Sequence, residues 1–145
     1  MEQNPAPKIS KAVLYARVSS KEQEKEGYSI PAQTKLLKAF ALDHGFKIVR
    51  EFIDIETAKA TGRKAFGDML AFLRQEAGLG SEKACRTLLV EKTDRLYRNL
   101  KDWVVVDELD LQIHLVKEGV CLSRAQQDQG HLYSRFPLGQ SLQRR

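Results

Sequence analysis

The sequence predicts a three-layer α/β domain with a mostly parallel central sheet flanked by helices. The first observation is that short apolar, β-branched runs alternate with longer segments whose apolar residues recur at helical spacing. The second is the wholly apolar run at residues 87–90, which is typical of a strand covered on both faces. The chain has 145 residues, 42% hydrophobic and 30% charged, which suffices for one domain with a substantial core.

The predicted first strand covers residues 11–18 and follows a flexible leader, residues 1–10, that contains two prolines. Arg17 and Ser19 are two positions apart, so they share one face if the strand stays extended to its end. The charged residues 19–27 predict a solvated loop or a frayed helical turn.

A helix is predicted to begin after Ser29, a preferred N-cap residue, with Pro31 in its first turn. Gly45 is expected to end it. Its predicted buried stripe consists of Leu36, Leu37, Phe40 and Ala41.

The second predicted strand covers residues 46–54, ends in the carboxylate of Asp54, and leads into a polar loop at 55–62. The next helix opens at Arg63 and is broken by the glycines of residues 76–81. Its predicted buried stripe consists of Phe66, Met69, Leu70 and Leu73.

The third strand, residues 87–90, is predicted to lie near the centre of the sheet and runs out into the charged segment 91–98. Residues 100–111 predict a helix. Residues 113–116 and 120–122 predict one last strand or two short ones.

Three predicted strands end in polar side chains. The carboxyl ends of parallel strands meet at one edge of a sheet, and ligands of α/β proteins usually bind at that edge. The side chains expected at this edge are Arg17, Ser19, Gln23, Asp54, Asp94, Arg95 and Arg98. On the local pattern alone, Ser19 or Ser20 is more simply a helix cap. The convergence of a serine with several arginines favours a reactive site instead.

The residue types at this edge exclude several classes of site. No glycine-rich phosphate loop follows the first strand, and His44, His114 and His131 all lie away from the predicted edge. No set of side chains has the spacing of metal ligands, and Cys85 and Cys121 are expected to be buried, reduced thiols. A serine among guanidinium groups, which hold phosphate oxygens and keep their charge, favours metal-free attack on a DNA phosphodiester.

Five segments carry a family resemblance. They are Tyr15-Ala-Arg-Val-Ser-Ser-Lys-Glu-Gln23, Gly27-Tyr-Ser-Ile-Pro-Ala-Gln33, Phe52-Ile-Asp54, Thr61-Gly-Arg63 and Glu91-Lys-Thr-Asp-Arg-Leu-Tyr-Arg98. In this order they resemble the catalytic domain of the serine site-specific recombinases, the resolvase/invertase family. The second segment is closest to the large members of that family, and the resemblance covers residues 11–122.

The resemblance implies a resolvase-like catalytic domain in which Ser19 is the nucleophile, forming a 5′-phosphoserine link to DNA and releasing a 3′-hydroxyl. The scissile phosphate would be bound by Arg17, Arg63, Arg95 and Arg98. Gln23 and Asp94 would orient that set, and Asp54 would hold the loop that contains Arg63. Lys64 and Lys92 are expected either to contact DNA or to be solvated surface.

The resemblance also implies partners. DNA is the expected substrate, and the chain is expected to form a homo-oligomer, a dimer that becomes a tetramer in the synaptic complex. No cofactor is implied, because the covalent link conserves the energy of the broken bond. We expect no membrane partner and a cytoplasmic location, since the sequence has neither a long apolar run nor a secretory signal.

Residues 123–145 depart from the family pattern, which would continue with a long helix and a DNA-binding domain. Gly130, Pro137 and Gly139 interrupt any helical stripe, so the segment is predicted to be an irregular tail that results from a frameshift or truncation. The net charge is +5, which by itself is weak evidence for nucleic-acid binding. Two alternatives therefore stay open. One is a catalytically idle remnant that acts as a partner or regulator of a full-length recombinase, and the other is a flavodoxin-like nucleotide-binding module.

Overall fold

The central sheet contains five strands in the order β2-β1-β3-β4-β5. The computed structural model describes residues 9–23, 29–57, 63–80 and 83–123. The strands are β1 (Ser10–Ser19), β2 (Phe46–Glu56), β3 (Thr87–Val90), β4 (Gln112–Leu115) and β5 (Val120–Leu122). The helices are α1 (Ser20–Gln23), α2 (Ile30–His44), α3 (Lys64–Ala77), α4 (Thr93–Leu96) and α5 (Leu100–Asp107).

The sheet is mostly parallel, as predicted. Strand β1 pairs in parallel with both β2 and β3, and β3 pairs in parallel with β4. Only β5, among the described strands, runs antiparallel to its neighbour, because it returns from β4 through a short 3-10 turn at Val116–Glu118. Strand β3 occupies the middle of the sheet, which confirms its predicted central place.

The two faces of the sheet carry separate apolar clusters, which confirms the three layers. Val13 and Tyr15 of β1 point into the larger cluster, which includes Met69 of α3 and Val106 of α5. Their neighbours on β1 belong to the smaller cluster under α2, whose members are Ala12, Leu14, Leu37, Ala41 and Leu89. This division follows from the two-residue period of a strand, which sends alternate side chains to opposite faces.

The ends of α2 are those that the sequence predicts. The Ser29 hydroxyl accepts a hydrogen bond from the Ala32 N–H at 3.3 Å, and Pro31 lies in the first turn. Gly45 ends the helix at a φ of 75°, a left-handed conformation that glycine adopts without a steric penalty. The predicted buried stripe is correct for Leu37 and Ala41, whereas Leu36 and Phe40 are only half-buried.

Strand β2 is longer than predicted. It continues past Asp54 to Glu56, because Ile55 and Glu56 pair with Val18 and Ser19 of β1. The start of the predicted polar loop is therefore wrong by two residues. Strand β1 is one residue longer at each end than predicted, so it also takes in the last residue of the predicted leader.

The predicted helix at 100–111 is too long. Helix α5 ends at Asp107, and Asp110 has a φ of 55°, which no helix accommodates. The segment after it forms the two short strands β4 and β5, with Gly119 at a φ of 66° in the connection. In α3, by contrast, the whole predicted stripe is buried.

Several expectations lie outside the described residues, namely most of the leader, residues 24–28 and 58–62, His131 and the tail beyond residue 123. The domain boundaries stay predictions for this reason. Within the described ranges, no helix combines the length and apolar character needed to cross a bilayer. Cys85 is a buried free thiol as predicted, and Cys121 is free but only half-buried.

Candidate active site

Ser19 ends β1 and caps α1. Its hydroxyl accepts a hydrogen bond from the Glu22 N–H at 3.1 Å, and the Glu22 carboxylate accepts one from the Ser19 N–H at 3.1 Å. This reciprocal pair is a capping box. The helix-cap interpretation of Ser19 is therefore correct, but it does not exclude a reactive role, because the hydroxyl keeps its own proton to donate.

Glu22 links Ser19 to the first of the site arginines. The same carboxylate oxygen accepts a hydrogen bond from Arg95 Nη1 at 2.9 Å, and Arg95 Nε donates to Glu91 at 3.2 Å. The hydrogen bond from Arg95 lowers the pKa of Glu22, with the Ser19 amide adding to the effect against the opposing effect of burial. The Arg95 side chain is only 6% exposed, so this guanidinium is fixed inside the protein.

Arg17 is held at both its side chain and its backbone. Its guanidinium donates to the Arg95 carbonyl at 3.1 Å, to the Asp94 carbonyl, and to Glu56 Oε1 at 3.2 Å. Its backbone N–H and C=O pair with the two ends of the Gln33 amide at 3.2 and 3.1 Å. Gln33 is fully buried in the first turn of α2, so this helix fixes the end of β1.

Glu56 lies between two arginines at the end of β2. Its Oε1 accepts from Arg17 Nη1 at 3.2 Å, and its Oε2 accepts from Arg98 Nη1 at 3.1 Å. It lies opposite Ser19 in the β1–β2 register. The extra length of β2 therefore brings the residue opposite Ser19 into contact with two of the site arginines.

Arg63 is buried in a cage of its own. Its guanidinium lies 4.0 Å from the centre of the Phe66 ring and donates to the Tyr15 hydroxyl at 3.1 and 3.3 Å. It also donates to Asp102 Oδ2 at 2.6 Å and to the Leu96 carbonyl at 2.7 Å. Asp102 accepts the Arg98 N–H at 2.7 Å as well, which ties Arg63 to the segment that carries Arg98.

Asp54 fixes the start of α3, directly after Arg63. Its two carboxylate oxygens accept the N–H groups of Ala65 and Phe66 at 2.9 and 3.0 Å, and the Tyr15 hydroxyl donates to Oδ2 at 2.6 Å. Burial and the bond to Asp54 raise the pKa of Tyr15 well above its usual range, so the phenol stays protonated. Asp54 thus fixes the two residues at the start of α3 that closely follow Arg63.

The remaining predicted site residues are less closely connected. Asp94 contacts Arg17 through its backbone carbonyl, while its side chain is exposed. Gln23 ends α1, and its side chain lies outside what the structure describes. Lys64 is exposed and pairs with Asp68 at 3.0 Å, and Lys92 precedes α4 in a half-buried position.

One continuous set of contacts thus connects Ser19 with Arg17, Arg63, Arg95 and Arg98. Sequence reasoning missed several members of this set, namely Tyr15, Glu22, Gln33, Glu56, Glu91 and Asp102. The Ser-x-x-Glu pattern at 19–22 is a signal that predicts the Ser19–Glu22 capping box. Among the described residues, no group of three or more His, Cys, Asp or Glu side chains is arranged to hold a metal ion.

The family model of the resolvase N-terminal domain matches residues 12–136, which is most of the chain. This chain belongs to the resolvase family. The resemblance predicted from five sequence segments is therefore confirmed, and the match continues past residue 122.

Solved structures share the fold of this resolvase domain. The N-terminal catalytic domain of TP901-1 integrase is 24% identical, with a TM-score of 0.61 over 77% of this chain and 82% of that one. A resolvase family site-specific recombinase from Streptococcus pneumoniae is 28% identical, with a TM-score of 0.62 over 77% and 75% of the two chains. The C-terminal catalytic domain of ISC1926 TnpA, an IS607-like serine recombinase, is 27% identical, with a TM-score of 0.56 over 73% and 67%.

A phage protein is also similar to this resolvase domain. The uncharacterized immunity region protein 3 of Bacillus phage phi105 is 41% identical over 63 residues, which are 43% of this chain and 77% of that protein. The fold is thus that of recombinase catalytic domains, and the phage relative fits a mobile-element context.

Proposed function

We propose that this resolvase domain is the catalytic domain of a site-specific DNA recombinase in which Ser19 is the nucleophile. The observation that carries the proposal is the set of contacts that links Ser19, through Glu22 and Arg95, to Arg17 at the carboxyl edge of the sheet. In parallel α/β folds this edge is where ligands bind. The relatives that share the fold and carry the name recombinase support the same chemistry.

The proposed step exchanges one phosphodiester for another. The Ser19 hydroxyl oxygen attacks the phosphorus and forms an Oγ–P bond, while the bond between the phosphorus and the 3′ oxygen breaks and the bond to the 5′ oxygen is retained. The serine gives up its proton and the departing oxygen takes one, so a 3′-hydroxyl leaves and a 5′-phosphoserine remains. The reverse attack by a 3′-hydroxyl rejoins a strand and restores Ser19.

The arginines divide into two pairs by exposure. The side chains of Arg63 and Arg95 are 4% and 6% exposed, whereas those of Arg17 and Arg98 are 14% and 39% exposed. We therefore assign direct contact with the phosphate oxygens to Arg17 and Arg98. Arg63 and Arg95 position the segments around them and add positive potential to the site, which stabilises charge that develops in the transition state.

DNA is accordingly the proposed partner, and strand exchange requires that subunits assemble on it. We propose a dimer in solution that forms a tetramer when two DNA sites are brought together, in the cytoplasm where DNA is accessible. Gln23 and Asp94 would orient the arginines, Asp54 would hold Arg63 in place, and Lys64 and Lys92 would contact DNA backbone.

The test is a covalent adduct. The full chain is incubated with end-labelled duplexes that carry a randomised central segment, quenched with denaturant, and separated by gel electrophoresis. We expect a protein–DNA adduct joined to the 5′ end of the break, absent in Ser19→Ala and retained in Ser20→Ala. Loss of the N-cap costs Ser19→Ala about 1 kcal/mol, so this variant remains folded.

An adduct that depends on Ser20, or one joined to the 3′ end, contradicts the proposed nucleophile. Absence of any adduct in a folded chain that still associates with a full-length recombinase favours the alternative of a catalytically idle partner.

A further inference from the structure

We propose that the Glu56 carboxylate occupies the position of the DNA phosphate between Arg17 and Arg98, and that phosphate binds there only when Glu56 withdraws. The inference rests on the proposed function, in which these two arginines contact the phosphate. It adds a residue that controls access to the site.

The geometry of Glu56 is that of a bound oxyanion. Its two oxygens are shared between two guanidiniums, with Oε1 3.2 Å from Arg17 Nη1 and Oε2 3.1 Å from Arg98 Nη1. Guanidinium groups bind carboxylates and phosphates in the same way, by donating hydrogen bonds to two oxygens of the anion. A phosphodiester with two free oxygens therefore competes for the same donors.

The charges lead to the same conclusion. Each of the four site arginines is ion-paired with a carboxylate among the described residues, and the four carboxylates are Glu22, Glu56, Glu91 and Asp102. The four carboxylates balance the charge of the four arginines. While all four stay in place, the arginines offer an entering phosphate no net positive charge. Binding is favourable only if one anion replaces another.

Glu56 is the carboxylate whose departure opens the site. Glu91 is 3% exposed beneath Arg95, and Asp102 holds the buried Arg63 at 2.6 Å. Glu22 is more exposed, but its arginine partner is buried. Glu56, by contrast, accepts a hydrogen bond from the guanidinium of Arg98, which is the most exposed guanidinium of the set.

The movement required is small. The backbone of Glu56 is fixed by its pairing with Ser19, because β2 extends through this position. Withdrawal of the carboxylate is therefore a rotation of one side chain whose relative exposure is 17%, and it leaves both strands in place.

The test compares Glu56→Gln with Glu51→Gln in the full chain. Both substitutions remove one negative charge from β2, but Glu51 is 38% exposed and pairs with Lys38 at 3.1 Å, away from the site arginines. Binding to a 20-base-pair fluorescent duplex is measured over a range of salt concentrations. We expect Glu56→Gln to bind about tenfold more tightly and to release about one more counterion than the wild-type chain.

Glu51→Gln is expected to change the affinity less than about twofold, since surface charges away from the contact are screened. Equal gains in the two variants indicate net charge alone and overturn the proposal. Weaker binding by Glu56→Gln also overturns it, because Glu56 then positions the arginines instead of competing for them.

A second measurement does not depend on DNA. The thermal midpoint is followed against inorganic phosphate, with chloride at matched ionic strength as the reference. A ligand that binds only the folded state raises the midpoint, so Glu56→Gln is expected to gain a phosphate-dependent rise that the wild-type chain lacks. Glu56→Asp, whose carboxylate lies one methylene closer to the backbone and so reaches the two guanidiniums less well, is expected to show an intermediate rise.

The adduct assay and the two measurements on Glu56→Gln together distinguish the proposed function from the proposed role of Glu56. A Ser19-dependent adduct with no effect of Glu56→Gln in either measurement supports the proposed function and overturns the role of Glu56. A phosphate-dependent rise in Glu56→Gln, without any adduct or DNA binding, supports the role of Glu56 as a competing anion and contradicts the recombinase function.

Discussion

Gln33 shows how one buried polar side chain can fix the end of a strand. Both ends of its amide bond the backbone of Arg17, at 3.2 and 3.1 Å, and the side chain is fully buried. A buried backbone group without a hydrogen-bond partner costs free energy. The Gln33 amide therefore stabilises the end of β1 by bonding the N–H and the C=O of Arg17. The first turn of α2 thereby fixes the backbone of Arg17 near the end of β1.

We therefore expect Gln33→Met to destabilise the protein by about 2–4 kcal/mol, because it keeps the volume but leaves two buried backbone groups unpaired. The free energy of unfolding is measured by urea denaturation. Gln75→Met, at an exposed position on α3, is the control and should stay within about 0.5 kcal/mol of the wild-type value. Equal losses in the two variants would rule out a special role for the Gln33 amide.

At the residue scale, the sequence predicts that Arg17 and Ser19 share the end of β1, but it does not predict the side chains that hold them there. Arg17 and Ser19 stand out because a polar pair ends an apolar strand. Gln33 and Glu56 do not stand out, because their roles depend on contacts with residues 16 and 42 positions away. No local pattern carries that information.

Asp54 joins two secondary structure elements. It ends the buried part of β2 and accepts two of the free N–H groups in the first turn of α3, those of Ala65 and Phe66. These groups have no partner within the helix, so the carboxylate completes the helix start and favours it electrostatically. The Tyr15 hydroxyl shares this carboxylate and connects it to Arg63.

The substitution Asp54→Asn is expected to lower the free energy of unfolding by about 2–3 kcal/mol, since a buried amide cannot accept all three hydrogen bonds. Asp68→Asn, which loses only a pair with Lys64 on the exposed side of α3, provides the matched control. Its cost should be below about 0.5 kcal/mol. Guanidinium denaturation measures the free energy of unfolding of both variants. A cost below about 1 kcal/mol for Asp54→Asn would contradict the capping role.

At the element scale, local signals predict helix starts and the central strand, but not every end. Ser29, Pro31 and Gly45 specify the ends of α2 through the chemistry of the residues themselves. The end of β2 is instead set by its pairing with β1, which extends it to Glu56. The end of α5 differs from the prediction because its apolar period continues after the backbone has turned away.

The whole molecule is expected to lose stability as the pH falls below neutral. Burial lowers the pKa of His114, and the nearby His44 adds to this effect, so the folded state binds this proton less readily than the unfolded state does. Stability is therefore highest above the ordinary histidine pKa of 6.5 and falls as the pH decreases through it. The lowered pKa of Glu22 adds a second loss below its ordinary value of 4.5.

His114→Gln is expected to weaken the pH dependence of the free energy of unfolding between pH 7.5 and 5.5, because it removes a half-buried histidine whose pKa is lower in the folded state than in the unfolded state. Urea denaturation at four pH values measures the slope, and each chain at pH 8 serves as its own reference. An unchanged slope would assign the acid sensitivity to other groups. A steeper slope would reverse the sign argued here.

At the scale of the whole molecule, the sequence predicts the layers but not the strand order. Alternating strands and helices are sufficient to predict a parallel sheet. The placement of β1 between β2 and β3 depends on which faces are buried together, and the return of β5 against β4 depends on the short connection that ends at Gly119.

The bonds of Arg95 have a consequence for synthesis of the protein. They join residues 73 and 78 positions apart in the chain, to Glu22 and Arg17. Contacts over such separations form late, after the chain between them has been closed into a loop. When only β1 through α3 has left the ribosome, the chain contains Ser19 and Arg17 but not Arg95. The contacts that Arg95 makes with Glu22 and Arg17 are then still missing. The contacts that join Ser19 and Arg17 to Arg95 are completed only when β3 and α4 have emerged, so a chain released only as far as α3 is expected to lack the ordered strand edge of the finished domain.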